Sequence, residues 1–415
     1  MTRERDHATF GTAGREVSLT LKEIEIRVAR TLCEVEALRE PWTAWPGHRD
    51  SDIDFYLTIL QSRPEIVRPH VIALYRDGKP DTILVGRLER KPSRFRIGYL
   101  PRLGFRVRCL TFVHGALRGN ASAENTWHLL QEVMNCLRRD EADVAMLDDV
   151  SIDSPLYRLA LKLPGALSRD TLPELQGHEV MTVPESIKEV LECMSAHRRH
   201  ELRRTAKKLQ SNPVGEPRLV CYRDPAELDH LFHDAEEIAR KTYQRGLGVG
   251  FADTVRVRKR LELAALKGWL RAYLLYLGDR PCAFWIGMLY GETFVSDYTA
   301  YDPEFRQFSP GIGLVMRMIE RFCNRADGDV IAELDFGPGD AEYKAVLCTT
   351  KWLEAVVYIF SPTLRGVALK SIRTATRVVN VVARKVLTST KLASWARRAW
   401  RGRLAKHAEK TPPKN

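Results

Sequence analysis

The chain of 415 residues lacks the features that would mark a membrane-spanning or secreted protein. It has no apolar run of about 18 residues, the length needed for a transmembrane helix. Residues 1–20 contain no apolar block of the kind that forms a signal peptide. We therefore expect a cytoplasmic protein.

The sequence also lacks the usual motifs of metal and nucleophile sites. There is no Cys-x-x-Cys pair, no histidine at metal-ligand spacing from a cysteine, and no Gly-x-Ser-x-Gly motif of a nucleophile elbow. These absences predict reduced, mostly buried thiols, no structural metal and no hydrolase of the serine-elbow type. The eight cysteines are Cys33, Cys109, Cys136, Cys193, Cys221, Cys282, Cys323 and Cys348.

Acidic residues are nearly absent from the C-terminal segment. Residues 361–415 hold fourteen Lys or Arg and one acid, Glu409, a charge of 14 − 1 = +13, so the other 360 residues sum to 12 − 13 = −1. Apolar residues recur there at three- and four-residue steps, and Trp395 and Trp400 follow among arginines. A basic amphipathic helix with tryptophans predicts a peripheral contact with the anionic inner face of a membrane. Packing on the chain's own domain and nucleic-acid binding are the alternatives.

A repeated pattern organises the rest of the chain. The segment "LYRDGKPDTILVGRLE" (74–89) aligns without a gap on "LYLGDRPCAFWIGMLY" (275–290), and both have the pattern of a β-hairpin. A strand, a helix and a strand are predicted after each hairpin. We therefore predict two related α/β halves at 24–184 and 185–360, a disordered segment 1–23 and a basic helical tail 361–415.

An unusual helix start lies in "FRQFSPGIGLVMRMIERF" (305–322). Pro310, Gly311 and Gly313 open an amphipathic helix, although glycine inside a helix costs about 0.5–1 kcal/mol. The first-turn amides of a helix have no partner within it, and glycines leave them accessible to a phosphate. This pattern favours a pyrophosphate site, and an ordinary helix start capped by Ser309 is the alternative.

Three segments carry a family resemblance: "HRRHELRRTAKKL", "YDPEFRQFSPGIGL" and "LDFGPGDAEYK". Over about residues 190–360 the sequence resembles the GNAT acyltransferase superfamily. Within it, the chain resembles the branch associated with bacterial cellulose and exopolysaccharide biosynthesis, which is related to the Fem-type peptidyltransferases. The resemblance implies an α/β fold of two tandem GNAT-like lobes, each with a mixed sheet flanked by helices. The first half matches only as a degenerate copy, because "RGNASAENTW" has Gly119 but no proline-glycine pair.

The resemblance implies an acyl-CoA-dependent N- or O-acyltransferase that moves an acyl group directly from a thioester to an amine or hydroxyl. It also implies acetyl-CoA or another acyl-CoA as the donor and a sugar or an envelope precursor as the acceptor. Phe308 stands where the common GNAT loop has Arg or Gln. Transfer from aminoacyl-tRNA and a non-catalytic, membrane-peripheral role in polysaccharide assembly are the alternatives. The implied donor-binding residues are Arg306, Ser309, Gly311, Ile312 and Gly313.

Five further residues are candidates for the chemistry. Tyr343 occupies the place of the GNAT general acid and would protonate the leaving thiolate. Asp335, at the end of an apolar strand, and Asp297, within "FVSDYTAYD", are candidates for the base or for orienting the acceptor. Asp340 and Lys344 follow a tight turn and are predicted to contact the acceptor. The alternatives are core packing for Tyr343, cap or turn roles for Asp340 and Asp335, and a solvated strand face for Asp297.

Overall fold

Twelve strands of one mixed sheet form the centre of the structure, a computed structural model that describes residues 23–92, 106–242, 244–245, 250–338 and 342–388. The strands are β1 (Ile24–Ala29), β2 (Ile66–Arg76), β3 (Lys79–Pro92), β4 (Arg106–Gly119), β5 (Val144–Ser151), β6 (Glu174–Thr182), β7 (Pro217–Tyr222), β8 (Leu270–Leu277), β9 (Arg280–Tyr290), β10 (Thr293–Tyr301), β11 (Glu333–Pro338) and β12 (Thr350–Phe360).

Helices cover this sheet, which confirms the predicted α/β architecture of two GNAT-like lobes. The described helices are α1 (Leu32–Glu36), α2 (Arg39–Ala44), α3 (Ile53–Ser62), α4 (Ala123–Arg138), α5 (Pro155–Lys162), α6 (Ile187–Glu192), α7 (Ala196–Gln210), α8 (Leu228–Arg240), α9 (Val255–Leu266), α10 (Pro310–Cys323), α11 (Glu342–Leu347) and α12 (Leu364–Thr388).

The two halves have matching local order, as the repeat predicts. The hairpins β2–β3 and β8–β9 are both formed, and each is followed by two parallel strands joined by a helix, β4–α4–β5 and β10–α10–β11. Phe112 pairs with Leu147 in the first half, and Phe294 pairs with Leu334 in the second. In each half the parallel pairing ends at or just after this position, and we call the place between the two strands beyond it the opening of that half.

The last strand of each half lies beside the other half. The strand order is β1-β2-β3-β4-β5-β12-β6-β11-β10-β9-β8-β7, so β12 pairs with β5 and β6 pairs with β11. The central pair β6–β12 thus joins two half-sheets into one. The division of the chain at residues 184 and 185 stays a prediction.

Helix α3 also joins the two halves through its packing. Ile53 and Tyr56 lie in the core of the first half, whereas Phe55 and Ile59 pack into the core formed by α8, α9 and the second half-sheet. Aromatic and aliphatic side chains on opposite sides of one helix therefore bury apolar surface in both lobes.

The tail helix α12 begins on the body of the protein. The buried Arg373 lies 3.1 Å from Asp170 and 3.9 Å above the centre of the Tyr358 ring. The predicted alternative, packing of this helix on its own domain, is therefore correct for its first turns. Further along, Val378, Val379 and Val381 are 44–48% exposed. Trp395, Trp400 and residues 1–22 lie outside the described residues.

Two other expectations concern thiols and membranes. All eight cysteines are free thiols, as predicted, but only Cys109, Cys136 and Cys282 are buried, so the expectation of mostly buried thiols is wrong. No helix in the described part of the chain combines the length and the apolar content needed to cross a membrane.

Candidate active site

The opening in the second half lies between β10 and β11. The two strands pair in parallel from Thr293 to Val295, opposite Glu333 to Asp335. Beyond these pairs, β10 has a bulge between Ser296 and Tyr298, and Gly337 in β11 has φ of +65°. The parallel pairing therefore stops at Asp335, at the carboxyl ends of two strands that α10 connects, which is a common position for a ligand in α/β folds.

The first turn of α10 supplies accessible amides at this place. Pro310 is the first residue of the helix, and Ser309 has a left-handed backbone with φ of 53°. Ser309 does not cap the helix through its side chain, so that part of the alternative is wrong; its carbonyl accepts a hydrogen bond from the Gly313 amide at 3.2 Å. The amides of Gly311 and Ile312 belong to the first turn and have no partner within the helix.

Protein packing explains part of the glycine pattern. A Cβ atom at Gly313 would lie 2.6 Å from Cδ2 of Leu209 in α7, whereas one at Gly311 would lie 3.4 Å from the Tyr301 ring. Gly313 is therefore needed for the close contact between α10 and α7. The Phe308 side chain, which departs from the common loop pattern, packs half-buried against the core beside α10, and Arg306 is exposed.

Asp335 belongs to a buried histidine and carboxylate cluster that joins three strands. His178 on β6 lies between two carboxylates: Nε2 is 2.8 Å from Asp335 Oδ1, and Nδ1 is 2.9 Å from Glu354 Oε2 on β12. Trp352 stacks on the His178 ring at 4.5 Å and donates from Nε1 to Glu354 at 2.8 Å. The exchange of β6 and β12 between the halves is what places His178 and Glu354 next to β11.

The charges in this cluster compensate one another. Burial alone would lower the pKa of His178, but its hydrogen bonds and the negative charges of Asp335 and Glu354 raise that pKa to about 9. Burial raises the pKa of each carboxyl group, yet the hydrogen bonds to these groups and the positive charges of the histidines together outweigh it, so the pKa values of Asp335 and Glu354 are both lowered. At neutral pH His178 is thus a cation that donates to two carboxylates.

Two histidines of the first half extend the cluster. His114 Nε2 on β4 lies 3.5 Å from Glu354, and its ring is 4.1 Å from the ring of His48. His48 Nδ1 accepts the amide of Asp50 at 3.2 Å, and burial lowers the pKa of His48 to about 4. A Cβ atom at Gly115 would lie 2.5 Å from the His48 Cβ, so this glycine makes room for the ring.

The Asp297 side chain is buried and forms ion pairs with two arginines. Its carboxylate is 3.0 Å from Arg49 and 3.0 Å from Arg260, and its side chain is 8% exposed. The alternative of a solvated strand face is therefore wrong. Because Arg49 also pairs with Asp50 at 2.9 Å, this ion-pair group continues into the histidine cluster.

The remaining predicted residues lie around the turn after β11. Tyr343 packs edge-on against Trp285 and Phe336, and burial, with the charge of Glu179, raises the pKa of Tyr343 to about 12. The Lys344 ammonium donates to the carbonyl groups of residues 336, 337 and 338 at 2.8, 3.1 and 3.2 Å, so it ties down this turn. Asp340 lies outside the described residues.

Sequence reasoning found Asp335 but missed its partners. His178, Glu354, His114 and His48 come from four distant segments, and none stands in a motif. The repeat was the available signal for His114. The segment "TFVHG" (111–115), which contains it, matches "TFVSD" (293–297) of the second half.

Ligand atoms of His114, His178 and Glu354 all lie within 4.8 Å of one another, a spacing that a cation could bridge. Both ring nitrogens of His178 are, however, directed at carboxylate oxygens, which makes the ring a proton donor in this arrangement. The expectation of no metal stays a prediction.

Comparisons with known proteins match one part of the chain to a known domain family. Residues 196–345 match the acetyltransferase (GNAT) domain family. Solved structures with a similar fold include FemX (13% identity, 79% of this chain and 90% of that chain, TM-score 0.43) and a tandem GNAT protein from the clavulanic acid biosynthesis pathway (11%, 81% and 98%, 0.42). L-PGS from Bacillus licheniformis is another (11%, 83% and 95%, 0.43). No curated protein matches. The domain match confirms the predicted GNAT resemblance, and the chain is an acyltransferase.

Proposed function

We propose that the protein is an acyl-CoA-dependent N- or O-acyltransferase whose donor occupies the opening between β10 and β11. One observation carries the proposal: the parallel pairing of β10 and β11 ends at Asp335, and the helix that joins these two strands starts with Pro310, Gly311, Ile312 and Gly313. The positive end of the helix and its unpaired amides suit the pyrophosphate of coenzyme A. The thioester then reaches the opening, where main-chain amides of the separated strand can stabilise an oxyanion.

The residues at the opening suit direct transfer. The acceptor nitrogen or oxygen attacks the thioester carbonyl carbon, a C–N or C–O bond forms, and the C–S bond breaks. Both described hydrogen bonds to Asp335, from His178 and the Gly337 amide, go to Oδ1. Oδ2 can therefore orient the acceptor and receive its proton. Tyr343, with a pKa raised to about 12, keeps its proton at neutral pH and can give it to the thiolate.

The ion pairs of Asp297 favour a supporting role over that of a base. Two arginines at 3.0 Å stabilise its negative charge and occupy its surroundings. We therefore assign Asp297 to holding the segment around Arg49 against the second half, next to the acceptor side of the opening.

The finer identity of the acceptor rests on the sequence resemblance alone. We propose a saccharide or envelope precursor of the exopolysaccharide type, reached at the membrane surface. The exposed Val378, Val379 and Val381 of α12, followed by a basic segment with two tryptophans, support membrane contact.

Titration calorimetry with acetyl-CoA tests the donor site. Wild type and Gly311→Ala should bind, because a Cβ at this position meets Tyr301 at only 3.4 Å, whereas Gly311→Trp should block the amides and abolish binding. Both variants should keep the thermal midpoint of wild type to within a few degrees. Binding retained in Gly311→Trp would contradict the proposed position of the donor. Absence of acyl-CoA binding in wild type would favour the aminoacyl-tRNA or non-catalytic alternatives.

Sedimentation with vesicles tests the membrane contact. A chain ending at residue 377 keeps the docked part of α12, including the Arg373 and Asp170 ion pair, and removes the exposed valines and the basic segment. It should stay in the supernatant of vesicles containing anionic phosphatidylserine, while the full chain sediments. Equal sedimentation of both chains would refute membrane contact through this segment.

A further inference from the structure

The first half has an opening of its own, and it contains a cavity of about 210 Å³. The cavity lies where β4 and β5 cease to pair, beyond Phe112 and Leu147. Apolar side chains such as Leu147, Val150 and Leu156 form most of its wall. An engineered apolar cavity of about 150 Å³ can hold benzene, so this one has room for a ring with a short arm.

This cavity corresponds in position to the donor opening of the second half. Asp148 follows Leu147 on β5 as Asp335 follows Leu334 on β11, and the two leucines have equivalent pairing partners. The helix that follows β4 differs, because α4 has an ordinary cap: Ser122 accepts the Asn125 amide at 3.2 Å. The first half therefore keeps the opening without the proline and glycines that suit a pyrophosphate.

The two openings share a wall. Glu354 and His114 line the cavity of the first half, and Glu354 is also hydrogen-bonded to His178, which is bonded to Asp335. Two hydrogen bonds, from His178 to Glu354 and from His178 to Asp335, therefore connect the wall of the cavity with the carboxylate at the donor opening. The exchanged strands β6 and β12 form this connection.

The charged groups of the cavity wall are mainly acidic. No Lys or Arg is among its described lining residues, which include Asp148, Asp149 and Glu354. His178 and His114 balance Glu354, whereas Asp149 accepts a hydrogen bond from the neutral Gln176. Burial and the nearby charge of Asp148 raise the pKa of Asp149 to about 6, although the charges of His114 and His178 oppose this shift. A wall that contains carboxylates and no Lys or Arg disfavours an anionic ligand and favours a cation.

The backbone of Asp149 is also unusual. Its φ of 47° lies in the left-handed region, which costs a non-glycine residue energy and recurs at ligand sites. The conformation belongs to the stretch of β5 that borders the cavity.

We propose that this opening is the acceptor site and that it binds a protonated amino group, carried on an apolar body, beside Asp149, which among the proposed acceptors favours an envelope precursor with an amino group over a plain saccharide. The amino group anchors the acceptor, whose reacting group extends along Glu354 and His178 toward Asp335. The identification of the occupant as the acceptor rests on the proposed function, whereas binding of the amine does not.

Calorimetry with three compounds of one shape tests the site. The full chain at pH 7.5 is titrated with phenethylamine, 2-phenylethanol and phenylacetate, which present a cation, a neutral group and an anion on the same ring. Phenethylamine should bind at least tenfold more tightly than 2-phenylethanol, and phenylacetate should not bind. Asp149→Asn should remove the tenfold preference and leave 2-phenylethanol unchanged. Asparagine tolerates the left-handed backbone, so this variant should fold.

Asp153→Asn is the matched control, because Asp153 is exposed on the same segment outside the cavity, and it should bind like wild type. Equal binding of phenylacetate, an unchanged preference in Asp149→Asn, or no binding of any of the three would overturn the proposal. Acetyl-CoA is titrated separately. If it fails to bind while phenethylamine binds in an Asp149-dependent way, the proposed function fails and the amine site stands.

Discussion

Replacing His178 by glutamine would remove the cation from between two buried carboxylates. In the wild type, His178 is 2.8 Å from Asp335 and 2.9 Å from Glu354, and its side chain is 3% exposed. In His178→Gln the two carboxylates lose their shared counter-charge. We expect a loss of stability at neutral pH that disappears at alkaline pH.

The magnitude follows from the pKa of His178. This pKa rises from 6.5 in the unfolded chain to about 9 in the folded protein. At about 1.4 kcal/mol per pKa unit, the folded cation contributes about 3 kcal/mol. The lowered pKa values of Asp335 and Glu354 reflect the same interaction and are not counted again. Since the folded state holds a proton that the unfolded state releases, the contribution is complete below pH 6.5 and is lost as pH rises to about 9.

Thermal and urea unfolding of wild type and His178→Gln between pH 6 and 10 would measure this contribution. The difference in unfolding free energy between the two proteins should fall by about 3 kcal/mol across that range. His200→Gln, which changes an exposed histidine on α7, should show no such dependence. A constant difference between wild type and His178→Gln from pH 6 to 10 would refute the assignment of a cationic His178.

Three further variants test packing and charge by thermal unfolding. Gly313→Ala should lose about 1–3 kcal/mol, because its Cβ would meet Leu209 at 2.6 Å; a neutral result would contradict the tight α7–α10 contact. Gly115→Ala should lose more stability than Gly78→Ala, since both have positive φ but only the former meets His48. Asp297→Asn should cost about 3–5 kcal/mol, because it removes the counter-charge of the buried Arg260 and one of the two counter-charges of the buried Arg49; an effect below about 1 kcal/mol, typical of an exposed pair, would contradict their burial.

The fold could be predicted largely from local patterns. The two hairpins and the helix starting at Pro310 depend on turn residues, strand alternation and amphipathic spacing, all of which are local in sequence. Because of the repeat, these elements are predicted to occur twice in the same order, as in a duplicated α/β fold. The position of β6 and β12 could not be predicted in this way, because either strand satisfies its own hydrophobic pattern beside several possible neighbours.

Only those site residues that stand together in one segment of the sequence could be predicted. Asp335 ends an apolar strand and precedes a glycine turn, so its position pointed to function. His178 and Glu354 gave no comparable signal. They lie in β6 and β12, and the sequence does not show that each of these strands pairs with a strand of the other half. The sequence predicts that the glycines of α10 serve a ligand, yet Gly313 also allows the close contact between α10 and Leu209 of α7.

The exchange of strands gives a physical reason for retaining a first half without a pyrophosphate loop. If β6 stayed in its own half-sheet, the imidazole of His178 would not lie beside Asp335, and a carboxylate in this buried opening would lack its cation. If β12 stayed in the second half, Glu354 would not contact His114 on β4. The second half therefore depends on the first for the charge balance of its own carboxylate. The first half, in turn, has its opening lined by Glu354 of the second. Neither lobe can form the candidate site alone, and the polar contacts between them lie where a donor in one opening and an acceptor in the other would meet.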